Sequence, residues 1–387
     1  MLYLLRVEVS GYKMLEDNFL IDFVTKAKVS EPDLNKEVIE IDENLYTFST
    51  IALTGSNSSG KTTTLELLHQ VLFLLKTGRW RHWKRDFLGD FLSLRIVFYL
   101  NGEIYDYSSK ILAKSMHENI EIHSPYAQFK EETIKVAKYR PTVGRRYLKE
   151  LKFEVLDKMA LPIDDTSILA LITKESFSVA YITPFANDPR LISSRFFNCL
   201  NYFNDDMMMS IIQLFDDSIE NLKYASDDII LFKRYNMPEI AVTKYQLLSL
   251  LSNGTIKGIE LYVRIIRMIK SGGIILIDEI ENCFHKNLVS NILFLMTDKG
   301  INVNKAQIIF STHYVEILDI FDRRDNIFIL KREKSSIKAL NLYENYPIRT
   351  DILKSRQFNN NTFGTLLNYE RLMQVKRKIK HEISNND

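Results

Sequence analysis

Apolar and polar residues alternate with a period of two over Leu2–Val9 and again over Phe19–Phe23, which predicts two strands near the N-terminus. The stretch from Lys26 to Asp42 is charged and reads as a connection between strands. A continuous apolar run, TFSTIALT (Thr47–Thr54), predicts a buried strand that leads straight into a glycine- and serine-rich loop. Behind the loop, Thr62–Leu75 is apolar at helical spacing and ends near Gly78, a residue suited to a helix C-terminus. Residues 92–155 read as short strands and turns: LRIVFYL, a turn at Asn101-Gly102, then IYDYSSKIL. From about 165 to 235 helical patterns dominate, Met207–Leu222 being the plainest. Strand, helix and strand resume near Tyr245 and continue to Leu330, with Asp325–Lys331 strand-like, and a basic helical pattern, LMQVKRKIKHEI, follows. The alternation predicts an α/β fold.

Composition changes this picture little. Of 387 residues, 46% are hydrophobic and 26% charged, the range of a chain with a packed core. Fifty-one basic residues against forty-nine acidic leave a net charge of +2, so any basic surface has to be local. Two cysteines, Cys199 and Cys283, are too few for a disulfide framework or a zinc site. No run of eighteen apolar residues predicts a membrane span, and the N-terminus lacks a basic n-region and a cleavage site. The expectation is a cytoplasmic protein with no membrane partner.

Four segments carry candidate chemistry. GSNSSGKT is a complete phosphate-loop pattern: Gly55, Ser56, Asn57, Ser58, Ser59, Gly60, Lys61 and Thr62, with Thr63 behind it. Glycines let successive N–H groups turn inward around phosphate oxygens, and the following helix adds its positive end. Lys61 is then expected to bridge the terminal phosphates of ATP and Thr62 to ligate Mg²⁺. IILIDE (Ile274–Glu279) is a buried strand ending in two acids. Beside a phosphate loop, Asp278 becomes a candidate magnesium ligand and Glu279 a candidate general base. LSNGT (Leu251–Thr255), leading into the helical run Ile256–Lys270, offers a second anion site through Ser252, Asn253 and Gly254. Taken alone it is a turn and a helix cap. His313, in AQIIFSTHYVEIL, ends a buried strand, where an imidazole can contact a terminal phosphate or simply cap the strand.

These four motifs stand in the order that defines ABC-type ATPase heads. The chain resembles that superfamily, and within it the SMC-like and OLD-like prokaryotic ATPases linked to abortive infection and phage defence. ILIDEIENCFH (Ile275–His285), LLRVEVSGYKMLED and STHYVEILD carry the closer resemblance, which covers about 1–110 and 245–350. It implies a P-loop NTPase with an antiparallel β-subdomain and a helical insert. The expected divisions are an N-terminal lobe (1–110), an insert (111–240), a C-terminal lobe (241–335) and an extension (336–387). It further implies a homodimer in which Ser252 and Gly254 of one copy touch the ATP on the phosphate loop of the other. Asn253 and Thr255 depart from the transporter signature. The glutamine loop has two candidate places, Gln128 and Val179–Asp188.

Only about seventy residues follow His313. The expectation is therefore no fused nuclease and a separate effector protein. Prolines and the lack of heptads across 110–240 predict no long coiled-coil arm. Arg79–Arg85 sets both tryptophans among cations; either it meets a nucleic-acid backbone or the indoles pack beneath the sheet. Lys138, Arg140, Arg145 and Arg146 read as a solvated face, and Arg371–Lys380 as a docking or solvated helix. The leading functional expectation is an ATP-hydrolysing switch, and the alternative is a DNA-binding repair or chromosome ATPase.

Overall fold

The structure, a computed structural model, describes residues 1–81, 89–112, 125–140, 151–156, 166–173, 177–183, 189–347, 352–365 and 369–384. His82–Arg85, Arg145, Arg146, residues 184–188 of the second glutamine-loop candidate and the Cys283 side chain lie outside the described residues.

The N-terminal alternation forms β1 (Leu2–Ser10) and β2 (Phe19–Asp22), paired antiparallel. The expected charged connection instead holds a one-turn helix, α1 (Glu31–Leu34), and a strand, β3 (Val38–Asp42), because Val38 and Ile39 are buried there. Nor is Thr47–Thr54 a single strand. It breaks at Ser49 into β4 (Leu45–Phe48), hairpinned to β3, and β5 (Thr50–Thr54), which enters another sheet. Ser49 donates both its N–H and its hydroxyl to the Glu37 carbonyl, and this fixes the redirection.

Helix α2 (Lys61–Thr77) ends on Gly78, which sits left-handed at φ 69°. Strands β6 (Phe91–Leu100) and β7 (Glu103–Leu112) meet at Asn101-Gly102, both residues at positive φ as a tight hairpin turn requires. With β8 (Gln128–Lys138) and β9 (Glu154–Val155) they complete an antiparallel sheet of order β2-β1-β6-β7-β8-β9. The division expected at residue 110 falls inside β7, and Gln128 opens β8.

Next come β10 (Val179–Ile182), α3 (Pro189–Leu200), α4 (Asp205–Phe215) and a small sheet of β11 (Ile219–Tyr224), β12 (Ile229–Arg234) and β13 (Ile240–Thr243). The helix expected over Met207–Leu222 therefore stops at Phe215. Asp216 accepts from the Ser218 N–H and hydroxyl, and such local bonding competes with helical continuation. Then follow α5 (Lys244–Leu250), α6 (Asn253–Ser271), β14 (Ile274–Ile277), α7 (Ile280–Cys283), α8 (Lys286–Thr297), β15 (Gln307–Thr312), β16 (Ile327–Glu333) and β17 (Ser336–Asn341). Short helices α9 (Leu342–Asn345) and α10 (Lys354–Asn359) and the basic helix α11 (Tyr369–Ser384) complete the described chain.

The central sheet has the order β10-β14-β15-β5-β16-β17, parallel except for β17. Strict alternation makes it two-faced. Ala52, Ile275, Ile277, Ile308 and Phe310 face the core shared with α6 and α8, while Ile51, Leu53, Ile274, Leu276 and Ile309 face α2 and the antiparallel sheet. Helix α2 is thus sandwiched between two sheets, which explains its apolar surroundings: Leu65, Leu67, Leu68, Val71, Leu72, Leu74 and Leu75 are all fully buried. Each such side chain contributes roughly 1.5–3 kcal/mol of burial. Strand β10 comes from the segment expected as an insert, yet it forms the edge next to the acidic strand, and Asp278 donates its N–H to the Ile182 carbonyl at 2.9 Å.

Candidate functional site

Parallel strands bring the chemistry of β5, β15 and β14 to one sheet edge, their C-terminal ends. Thr54 pairs with Thr312, and Phe310 with Ile277. Hence the phosphate loop, Ser311–His313 and Asp278-Glu279 emerge side by side.

The phosphate loop needs its glycines. Gly55 has φ 150°, and a Cβ there would lie 2.4 Å from the Leu330 carbonyl oxygen. Gly60 caps α2 at φ 100°, and a Cβ would lie 2.7 Å from two carbons of the Ile337 side chain. The β16–β17 hairpin therefore buttresses the loop from behind. Ser58 is also left-handed, at φ 60°. Lys61 is buried and donates to the Gly55 and Ser56 carbonyls at 3.0 and 3.1 Å. Burial lowers its pKa to about 8, against the opposing pull of Glu281, Glu279 and Asp278.

The Thr62 hydroxyl donates to Asp278 Oδ2 at 2.7 Å, spanning the width of β15. The other oxygen, Oδ1, accepts from the Ser311 hydroxyl at 2.6 Å, and Ser311 Oγ in turn accepts the Glu279 N–H at 2.7 Å. Glu279 holds a left-handed backbone, φ 49° and ψ 65°, which is strained for a residue with a Cβ. Its carboxylate accepts from Asn282 Nδ2 at 2.6 Å. His313 Nε2 is 3.9 Å from Glu279 Oε1. Burial, then Lys61, lowers the His313 pKa, so the ring is neutral at pH 7 and this contact is not an ion pair. Glu281 takes the Thr312 hydroxyl at 2.8 Å and the His313 N–H at 2.6 Å.

A hydroxyl beside a buried carboxylate is a hard oxygen pair of the kind that binds Mg²⁺ together with phosphate oxygens, so Thr62 and Asp278 fit that ion. Ser311, Glu281 and Asn282 are positioning groups to which the sequence reading assigned no role. Glu281 and Asn282 lie within ILIDEIENCFH and Ser311 within STHYVEILD, the segments that carry the resemblance, but nothing in the sequence gave them a role.

The second anion loop stands apart. Ser252 caps α6, its oxygen accepting the Thr255 N–H at 3.0 Å, and the helix starts at Asn253 rather than Ile256. A Cβ at Gly254 would meet only the Ser252 hydroxyl, at 3.6 Å, so this backbone is open to close approach. Among the described residues no hydrogen bond joins Ser252, Asn253 or Gly254 to the phosphate loop. Gly254 instead lines a cavity of about 610 Å³ together with Glu281, Asn282, His285 and Tyr314.

A family model described as "AAA domain, putative AbiEii toxin, Type IV TA system" matches residues 175–319. The match is less than half of the chain and holds the second loop, the acidic strand and His313. The fold is that of a P-loop NTPase, an ABC-type ATPase head with an antiparallel subdomain. No curated protein matches the chain by sequence. Among solved structures, an SMC head domain from Thermotoga maritima is similar over 87% of this chain and 98% of its own, at TM-score 0.41 and 13% identity. A SmcHead bound to the C-winged helix domain of ScpA is similar over 89% and 100%, at TM-score 0.43 and 14% identity.

The basic cluster takes the packing arrangement where it is described. Trp80 is fully buried, edge-on to Tyr12 at 6.4 Å. The Arg79 and Arg81 guanidiniums lie over Tyr126 and Phe73 at 4.8 and 4.2 Å. No described helix is long and apolar enough to cross a membrane.

Proposed function

We propose that the chain binds ATP with Mg²⁺ and hydrolyses it as a homodimer, and that its nucleotide state controls a separate effector such as a nuclease in defence against phage. The observation that carries the catalytic half is the chain of bonds from Thr62 through Asp278 and Ser311 to Glu279. It ties the phosphate loop to the strained Glu279 backbone across three strands, so that binding and water activation share one rigid edge.

In this reading Gly55–Thr63 cradle the phosphates and Lys61 neutralises the terminal ones. Thr62 and Asp278 hold the ion, which supplies charge stabilisation at the γ-phosphate when bound. Glu279 orients and deprotonates the attacking water. Neutral His313, within reach of Glu279, senses the γ-phosphate. Ser252, Asn253 and Gly254 cover the nucleotide of the partner copy. Support for that arrangement is the open backbone at Gly254 and its place on the same cavity rim as Asn282, which holds Glu279. Support for the defence setting is the family description, which names a putative toxin of a type IV toxin–antitoxin system.

The test is Glu279→Gln, which keeps shape and removes the base. Turnover should fall at least about a hundredfold, while ATP binding persists and the dimer accumulates in size-exclusion chromatography with light scattering. Wild-type turnover in E279Q overturns the assignment.

A further inference from the structure

The phosphate loop meets the β16–β17 hairpin at both of its glycines. Gly55 lies against the Leu330 carbonyl oxygen of β16, and Gly60 against the side chain of Ile337 on β17. The atoms nearest a Cβ on Gly60 are Cδ1 and Cγ2 of Ile337, one from each branch of the side chain. Ile337 is buried, in the core that α2 shares with the antiparallel sheet. A β-branched side chain held there has few rotamers and acts as a stiff wedge.

Its backbone is fixed on both sides. Ile337 pairs with Arg332 across the hairpin. On the other side its N–H donates to the Met14 carbonyl at 2.8 Å, and its carbonyl accepts the Glu16 N–H at 3.0 Å. The segment after β1 and the hairpin thus close on one residue, whose side chain bears on Gly60. Gly60 in turn is the N-cap of α2, and its carbonyl accepts the Thr64 N–H at 2.9 Å. The next two residues are Lys61 and Thr62, whose N–H groups open the helix. A shift of Gly60 therefore moves the donors that would face phosphate.

We propose that Ile337 is a positioning residue for the nucleotide: its branched side chain sets Gly60 and, through it, the Lys61 and Thr62 N–H groups, so that affinity for a triphosphate depends on the seating of the β16–β17 hairpin. This rests on the nucleotide-binding reading above. Ile337 lies beyond the residues that the family model matches and in the segment that sequence alone suggested as an extension.

Ile337→Leu keeps the side-chain volume but moves the branch one carbon outward, which changes the shape against Gly60 with little loss of burial. Binding of a fluorescent mant-ATP probe to the full chain with Mg²⁺ should weaken about three- to tenfold in I337L, the scale of one misaligned hydrogen bond, and about tenfold or more in I337A. I337L should melt close to wild type. Ile134→Ala truncates an equally buried side chain of the same core on β8 and controls for stability. It should lower the melting temperature as I337A does and leave probe affinity within about twofold. A loss of affinity confined to the Ile337 variants sustains the proposal. Affinity unchanged in both of them, or lowered equally in I134A, overturns it and leaves Ile337 a core residue. If the probe fails to bind wild type, or binds K61A as tightly, the nucleotide reading itself falls and this inference with it.

Discussion

Ser311 donates to the Asp278 carboxylate at 2.6 Å while accepting the backbone N–H of Glu279, the next residue, at 2.7 Å. One hydroxyl on β15 thus sets the orientation of the Asp278 carboxylate and the backbone of Glu279. Its position between the two follows from strand order, since β15 lies between β5 and β14.

Removing that hydroxyl should separate positioning from binding. Ser311→Ala should lower ATP turnover by about tenfold or more and change nucleotide affinity less than about threefold. Steady-state kinetics beside equilibrium binding reads both, and equal losses in the two would assign Ser311 to binding instead.

Glu279 stores backbone strain that glycine does not feel. Glu279→Gly and Glu279→Ala should both be inactive, but the glycine variant should be more stable in urea by about 1 kcal/mol, the cost of a Cβ at φ 49°. An alanine variant as stable as the glycine one would remove strain from the account.

Lys61 gives a pH signature. Its folded pKa is lowered by burial to about 8, below the unfolded value near 10.5, so between those limits the unfolded chain binds more protons and stability rises with pH. The penalty is fully present below about pH 8 and is relieved by about pH 10.5. Lys61→Met removes it at all pH values. The variant without nucleotide should therefore melt above wild type at pH 7, and the gap should close toward pH 10.5; a gap constant with pH would contradict the buried charge.

Away from the site, Asp325 is fully buried and accepts from the Lys26 and Ala27 N–H groups at 2.7 and 2.8 Å and from Arg323 Nη2 at 2.6 Å. This clasp holds the segment before β3 against the loop that follows the His313 strand. Asp325→Ala leaves the Arg323 charge with less compensation and should cost about 3–5 kcal/mol. Chemical denaturation measures it, and a loss below 1 kcal/mol would show the clasp to be dispensable.

Legibility differed from residue to residue for stated reasons. GSNSSGKT and IILIDE are local: glycine spacing, a strand of four apolar residues and a helix behind the loop lie within one short window each, so both elements could be read from the chain. Breaks set by distant partners could not. Ser49 splits an apolar run because Glu37 captures it, and Met207–Leu222 stops being helical where Asp216 pairs with Arg234 of another strand.

The order of residues along this chain determined which side chains could do phosphate chemistry and on what kind of element each sits. Folding decided who stands beside whom: Thr62 against Asp278, Ser311 between two acids, β10 at the sheet edge beside the acidic strand. Local patterns specify backbone geometry over a few residues, whereas strand neighbours are chosen by which faces can be buried together over the whole core, and that choice is not written in any single stretch.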